Sequence, residues 1–281
     1  MAKETKPGGG LSVTALYTAE TWGWGGLPGA ELLVSPEGRR VFDATNFALA
    51  VARPFQSGQR SLKHGLLHRH TMIDHLARAS GARQVVELAA GLSRRGVAFS
   101  EDPTLRYTEI DLEPVTAHKR TLLERSPEGR AVLARANLTL TSGDVLETDL
   151  SAHVDAGQPA FVIAEGLLMY LPRDAQRTLF GRVHALLEGG GGTFAFDLVP
   201  PSEEPPPGAA GRALEWIMKR FTGGKSFERQ ARTRAEIVED LTLAGFEVEV
   251  LEPGSVAGAW GLPFPEVPTR IVVFVCRVTP W

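Results

Sequence analysis

The stretch from Gln84 to Asp111, QVVELAAGLSRRGVAFSEDPTLRYTEID, admits few folds. Gln84-Val85-Val86-Glu87-Leu88 is short, apolar and β-branched, as a parallel strand covered on both faces must be. Ala89, Ala90 and Gly91 follow at once, and small residues after a strand let a ligand approach the backbone. Arg106 to Asp111 reads as the next strand, with an acid at its carboxyl end. Asp111 lies 20 residues beyond Gly91, close to the spacing of an acid that grips ribose hydroxyls. The pattern is that of a nucleoside-binding βαβ unit. Taken alone, Ala89-Ala90-Gly91 is equally a plain tight turn, since such turns occur in any doubly wound fold.

The kind of nucleoside is narrowed by what the turn lacks. A dinucleotide needs GxGxxG, because its pyrophosphate rests on bare amides at a helix start. Here the small positions are Ala89, Gly91 and Gly96, which break that fingerprint. Gly91 and Gly96 bracket four residues as in a P-loop. Val97-Ala98, however, stands where Lys and Ser or Thr must hold phosphate and magnesium. With Glu87 near the same turn, the site disfavours phosphate. It suits a sulfonium and an ammonium, as in S-adenosylmethionine.

The bulk of the chain excludes other classes. Its 281 residues suit one large α/β domain or one domain with an arm. A net charge of −3 draws it to neither nucleic acid nor anionic lipid, so neither is an expected partner. No apolar run approaches the roughly 18 residues of a membrane span. Cys276 is the single cysteine, which with the start MAKETKPGGG points to a cytoplasmic protein.

Along the chain, residues 1–10 read as a disordered leader and 11–55 as an arm without a long period of either type. The arm brings Tyr17, Trp22 and Trp24 together, either as a clip or as substrate contacts. Residues 56–281 form the main domain. Its first helix, Gln56 to Ala79, carries an apolar stripe and ends at Gly81. His64, His68, His70 and His75 crowd this helix. Without a carboxylate at metalloprotease spacing they read as solvated or capping groups, and no metal is expected. Arg69, on the same helix, has either a ligand carboxylate or a surface ion pair as its partner.

Further strands follow at 138–142, 160–165, 193–199, 246–251 and 270–277, with helices at 114–125, 173–188 and 233–245 between them. The helix from Thr233 starts with the capping box TRAE. Asp144, in Gly143-Asp144-Val145, and Glu165 are acids at the ends of the third and fourth strands. Acids at three carboxyl ends converge on one crevice, where such sheets bind ligands. Pro200 to Gly211 is too proline-rich for regular structure, and 200–221 reads as an insertion on the ligand side, a lid or a decorative loop. Ser255 to Thr269 reads as a long loop containing Trp260 and Phe264. The alternation of strands and helices gives a doubly wound α/β sheet.

The combination of TALYTA, HRHTMIDH, VVELAAGLSRRG, TEIDLEP with Lys119, SGDVLETDL and AEGLLMYLP resembles the leucine carboxyl methyltransferase family, within the class I S-adenosylmethionine-dependent methyltransferases. That family includes bacterial O-methyltransferases of polyketide pathways. The resemblance implies a Rossmann-like, seven-stranded, mostly parallel sheet with the last strand antiparallel. It implies that Arg69 pairs with the methionine carboxylate, that Glu87, Ala89 and Gly91 line the methionine end, and that Asp111 holds the ribose. Asp144 and Val145 face the adenine, and Glu165 with Gly166 lies near the methionine amine. Three departures stand out, one being Ser93 where the family often has Asp. The family often has Gly at the position of Ala89, which an alanine serves only if its φ is negative. The family can also carry a basic residue in the arm, where Leu11 to Pro28 has none.

The expected activity is methyl transfer to a carboxylate or acidic hydroxyl of a small metabolite, polyketide-derived and either free or presented by a carrier protein. A carboxylate acceptor needs no general base, and no residue is assigned that role. Tyr17, Trp22, Trp24, Tyr170 and Trp260 are candidate acceptor walls, each with core packing as its alternative. Two competing functions are an NAD(P)-dependent oxidoreductase and a nucleoside-binding protein without turnover.

Overall fold

The structure is a computed structural model, described here for residues 13–52, 61–203 and 232–279. The expected leader and nearly all of the 200–221 insertion lie outside these residues.

Seven strands form one sheet: β1 (Gln84–Leu88), β2 (Arg106–Asp111), β3 (Leu138–Ser142), β4 (Ala160–Ala164), β5 (Gly192–Asp197), β6 (Glu247–Leu251) and β7 (Val273–Val278). Their order is β3-β2-β1-β4-β5-β7-β6. β7 runs antiparallel to both its neighbours, and all other pairings are parallel. The order reverses beside β1, at the break where open sheets bind ligands. β1 and β4 are buried along their whole length, which explains their continuous apolar runs.

Helices cover both faces. On one, α3 (Leu62–Ala79) packs Met72, Ile73 and Ala77 against Val85, Tyr107, Phe161 and Ile163. On the other, α7 (Arg173–Glu188) and α8 (Arg234–Leu243) bury Leu179, Phe180, Val183, Ile237 and Leu241 against Val86, Val162, Phe194 and Phe274. The short helices α4 (Arg95–Phe99), α5 (Glu113–Glu124) and α6 (Pro127–Leu133) complete the crossovers around β2. The capping box of α8 is formed, with Thr233 and Glu236 bonding each other's backbone N–H.

Two stretches expected to lack regular structure are helical. The arm contains α1 (Val13–Trp24) and α2 (Pro36–Ala52). α1 shows no stripe because it is buried on more than one side: Tyr17 packs against Phe42 of α2, while Trp22 joins the cluster containing Leu67 of α3. The expected loop at 255–269 begins within α9 (Pro253–Trp260), where Pro253 takes the first turn and Gly261, at φ 62, ends the helix. The histidines of α3 also differ from expectation, for His68 and His70 are buried. His68 turns its Nε2 to the Pro263 carbonyl at 2.8 Å and its Nδ1 to Thr269 Oγ1 at 3.0 Å.

Candidate active site

Strand register places a row of acids on one face of the sheet. Val85 pairs with Tyr107 and Glu87 with Glu109, so these residues share a face. One step further toward the carboxyl ends come Asp111 on β2, Glu165 just beyond β4, and Asp197 closing β5. Two of these three ends were legible as sites in the sequence; Asp197 was passed over as an ordinary strand residue.

The turn after β1 lies between these acids. Ala89 and Gly91 both take left-handed backbone conformations, with φ of 51 and 56. Ala89 therefore departs from the negative φ its side chain favours. The reversal aims the Gly91 N–H at Asp111 Oδ2, 2.6 Å away. Asp111 Oδ1 takes the Leu112 N–H at 2.7 Å. Each oxygen accepts one bond, so the carboxylate keeps lone pairs for hydroxyl donors. Burial raises its pKa, and the two N–H groups oppose that rise. A Cβ on Gly91 would meet only Ala15 of α1, at 4.0 Å, so the arm roofs the turn without filling it.

Glu165 anchors the other side. It accepts from Arg69 Nε at 2.8 Å, from Arg95 Nη2 at 2.5 Å and contacts His70 Nδ1 at 2.9 Å. Burial alone would raise its pKa, but Arg95, His70 and Arg69 overcome this and hold it well below the usual carboxylate range. Arg69 also donates to Asp197 at 2.9 Å, and Asp197 takes the Gly166 N–H at 2.6 Å. Arg69 is thus shared between two acids in the interior, where the sequence left either a ligand carboxylate or a surface ion pair as its partner. Gly166, at φ 68, lies under the guanidinium: a Cβ there would come within 3.4 Å of both terminal nitrogens.

Arg95 is the residue that the sequence reading missed. Fully buried, it donates to Asp74 at 2.6 Å, Glu87 at 2.7 Å, Glu165 at 2.5 Å and the His70 carbonyl at 2.9 Å. Glu87 also accepts from Tyr107 at 2.7 Å. Its carboxylate belongs to this interior network and supports the turn from beneath instead of lining an open cleft. Arg94 pairs with Asp74. Lys119 pairs with Glu109 and donates to the Ser93 carbonyl. Burial pushes Glu109 up to about 7 against the pull of Lys119, and its Oε1 has no partner. A small cavity lies here, bounded by Gly91, Glu109, Asp111, Thr116, Lys119 and Leu140.

The other expected residues scatter. Asp144 is exposed and caps its own turn by accepting from Leu146 N–H at 2.9 Å. The Val145 side chain is a core residue beneath it. Tyr17 turns away from the acids to Asn46 and Phe42 of α2. Trp260 stacks on His75 at 4.2 Å, among the residues between α9 and α3. Trp22 does reach the row, stacked on His70 at 4.2 Å. Tyr170 is half-buried in the short helix after Glu165, and Trp24 stacks on Phe264 at 5.3 Å. Among the described residues, no group of three or more His, Cys, Asp or Glu is arranged to hold a metal. None of their helices is long and apolar enough to cross a membrane.

A seven-stranded sheet of this order, with an acid closing β2 and facing a left-handed turn after β1, defines the Rossmann-like methyltransferase class. The profile described as leucine carboxyl methyltransferase matches residues 28–184. A candidate S-adenosyl-L-methionine-dependent methyltransferase of Mycolicibacterium gilvum is 32% identical over 193 residues, 68% of this chain and 62% of that one. One from Mycolicibacterium smegmatis is 42% identical over 114 residues, 40% of this chain and 37% of its own. These matches thus span less than two thirds of the relatives' length. Among solved structures, a DUF574 family protein from Streptomyces avermitilis superposes with a TM-score of 0.54 at 19% identity, over 95% of this chain and 98% of that one. A candidate O-methyltransferase from Nostoc punctiforme gives 0.52 at 16%, over 88% and 71%. The chain belongs to the leucine carboxyl methyltransferase family. The cofactor of that class is S-adenosylmethionine.

Proposed function

We propose that this chain transfers a methyl group from S-adenosylmethionine to a carboxylate or acidic hydroxyl of a small metabolite. The observation that carries the reading is the acid row. Together with Asp74 of α3, the row of Glu87, Glu109, Asp111, Glu165 and Asp197 meets Arg69, Arg94, Arg95 and Lys119 as its bonded cations among the described residues. Such an excess of acid suits a ligand with a sulfonium and an ammonium and opposes a pyrophosphate.

The residues fit the cofactor group by group. Asp111 has lone pairs free for the ribose hydroxyls, and the glycine turn beside it admits a close approach. Glu165 Oε1 accepts one bond and retains room for an ammonium. Arg69 has donors left on Nη2 for a carboxylate. Asp144, at the end of β3, is the polar group available to the adenine edge. When bound, the cofactor supplies a methyl carbon activated by positive sulfur. The protein's work is then alignment of the acceptor oxygen in line with that carbon. An ionised acceptor needs no proton removed. A polyketide-type acid, free or on a carrier protein, fits this scheme.

Calorimetry with S-adenosylmethionine and with NAD tests the cofactor, and binding of NAD alone would end the reading. Labelled methyl appearing in an extractable product demonstrates turnover. Release of that label by mild base marks an ester, and retention marks an ether.

A further inference from the structure

Trp24, Lys63, His64 and Phe264 meet from three parts of the chain at the ligand end of the sheet. Late in α3, Ala77 clusters with Val85 near the start of β1, while Arg69 reaches Glu165 and Asp197 at the carboxyl ends, so the first turn of α3 stands beyond those ends. β7 enters opposite Asp197, which puts the preceding loop at that end too. Trp24 closes α1, the helix that roofs Gly91 and stacks Trp22 on His70. His64 lies five residues before Arg69, about 7.5 Å along the axis of α3.

The geometry is that of a small aromatic platform. The Trp24 and Phe264 rings stack at 5.3 Å and 13°. His64 presents an edge to both, at 5.4 and 4.8 Å. Lys63 Nζ stands 3.7 Å from the indole centroid. Three features set this apart from a packing clip. Trp24 and Phe264 remain 36% and 39% exposed, so ring surface is left open beside the one indole face that Lys63 covers. Phe264 adopts φ 53, rare for a bulky side chain, and His68 Nε2 holds its carbonyl at 3.2 Å. His64 Nδ1 is buried without a partner. Burial and Lys63 keep His64 below the usual imidazole range, with Glu266 opposing, so Lys63 is the cation that counts at neutral pH.

We infer that Trp24, Lys63, His64 and Phe264 form the acceptor subsite, and that the acceptor is a planar, conjugated acid. The exposed rings take its face and Lys63 takes its charge. The inference rests on the methyltransferase reading and names its substrate class.

The test is a calorimetric titration of 2-naphthoate into protein saturated with S-adenosylhomocysteine, with decanoate as a flexible acid of equal charge. Naphthoate is expected to bind at least about tenfold more tightly than decanoate. Phe264→Gly, which suits the left-handed backbone and so preserves the loop, should weaken naphthoate about tenfold. Lys63→Met should weaken it about threefold. Both variants should keep wild-type affinity for S-adenosylhomocysteine. Equal naphthoate affinity in Phe264→Gly and wild type overturns the subsite, as does a preference for decanoate. Cofactor binding with no naphthoate binding defeats the subsite alone. Failure to bind S-adenosylhomocysteine defeats the methyltransferase reading and the subsite together.

Discussion

Glu165 shows how much of this site is held by charge. Three cationic or hydrogen-bonding partners converge on a buried carboxylate, so removing its charge leaves Arg95 and Arg69 each short of one counter-charge in a dry interior. Glu165→Gln should cost about 3–5 kcal/mol, read by urea denaturation. The sign with pH follows from its depressed pKa. The stabilisation is present above the unfolded value of 4.5 and is lost as pH falls through the folded value. Wild type should therefore lose stability on acidification below 4.5 more steeply than Glu165→Gln. Ala89 is the opposite case, a residue that strains the turn. At φ 51 it pays the cost of a Cβ in the left-handed region. Ala89→Gly relieves about 1–2 kcal/mol of that strain against about 0.5–1 kcal/mol of added chain entropy. A net gain between zero and about 1.5 kcal/mol is expected. Loss of stability in Ala89→Gly would show that the turn relaxes on its own. Arg95 was not legible in advance because Ser93-Arg94-Arg95-Gly96 reads as polar surface. Only the fold reveals that Asp74, Glu87 and Glu165 surround it.

The elements that local patterning specifies were legible, and those specified by their surroundings were not. β1, β2, β3, β4 and α7 begin and end close to the positions expected from apolar runs and periodic stripes. α8 was legible from its cap alone, since Thr233 and Glu236 stand at capping-box spacing before an apolar run. Thr233→Ala should cost about 1 kcal/mol, seen as a lower urea midpoint with an unchanged slope. A neutral result would mean that Arg232, bonded to Asp240 of the same helix and to Gln176 of α7 at 2.7 Å, fixes the helix start instead. By contrast α1 hides its period because α2 and α3 bury different sides of it. α9 hides its own because small residues pack closely without a strong apolar stripe. The arm's contribution to the site follows from this packing. Trp22 reaches His70 only because α1 lies across α3.

Across the molecule, the acid row and the cations beneath it make one electrostatic device spread over β1, β2, β4, β5, α3, α4 and α5. The cations Arg69, Arg94, Arg95 and Lys119 keep the sheet edge from repelling itself, yet leave it net acidic. Asp111 is the acid in this row with no cationic side chain bonded to it, for its two oxygens take only backbone N–H groups. Its removal should therefore disturb folding less than that of Glu165 while affecting ligand binding directly. Asp111→Ala is expected to weaken S-adenosylmethionine binding at least about tenfold, or about 1.4 kcal/mol, through loss of hydrogen bonds to the ribose hydroxyls. Asp144→Ala, which removes an exposed cap, should have the smaller effect. The comparison is made by calorimetry on both variants, after their unfolding midpoints show that each retains the native fold. Unchanged affinity in Asp111→Ala would detach the β2 acid from the cofactor, and with it the spacing from Gly91 that first marked this chain as a nucleoside binder.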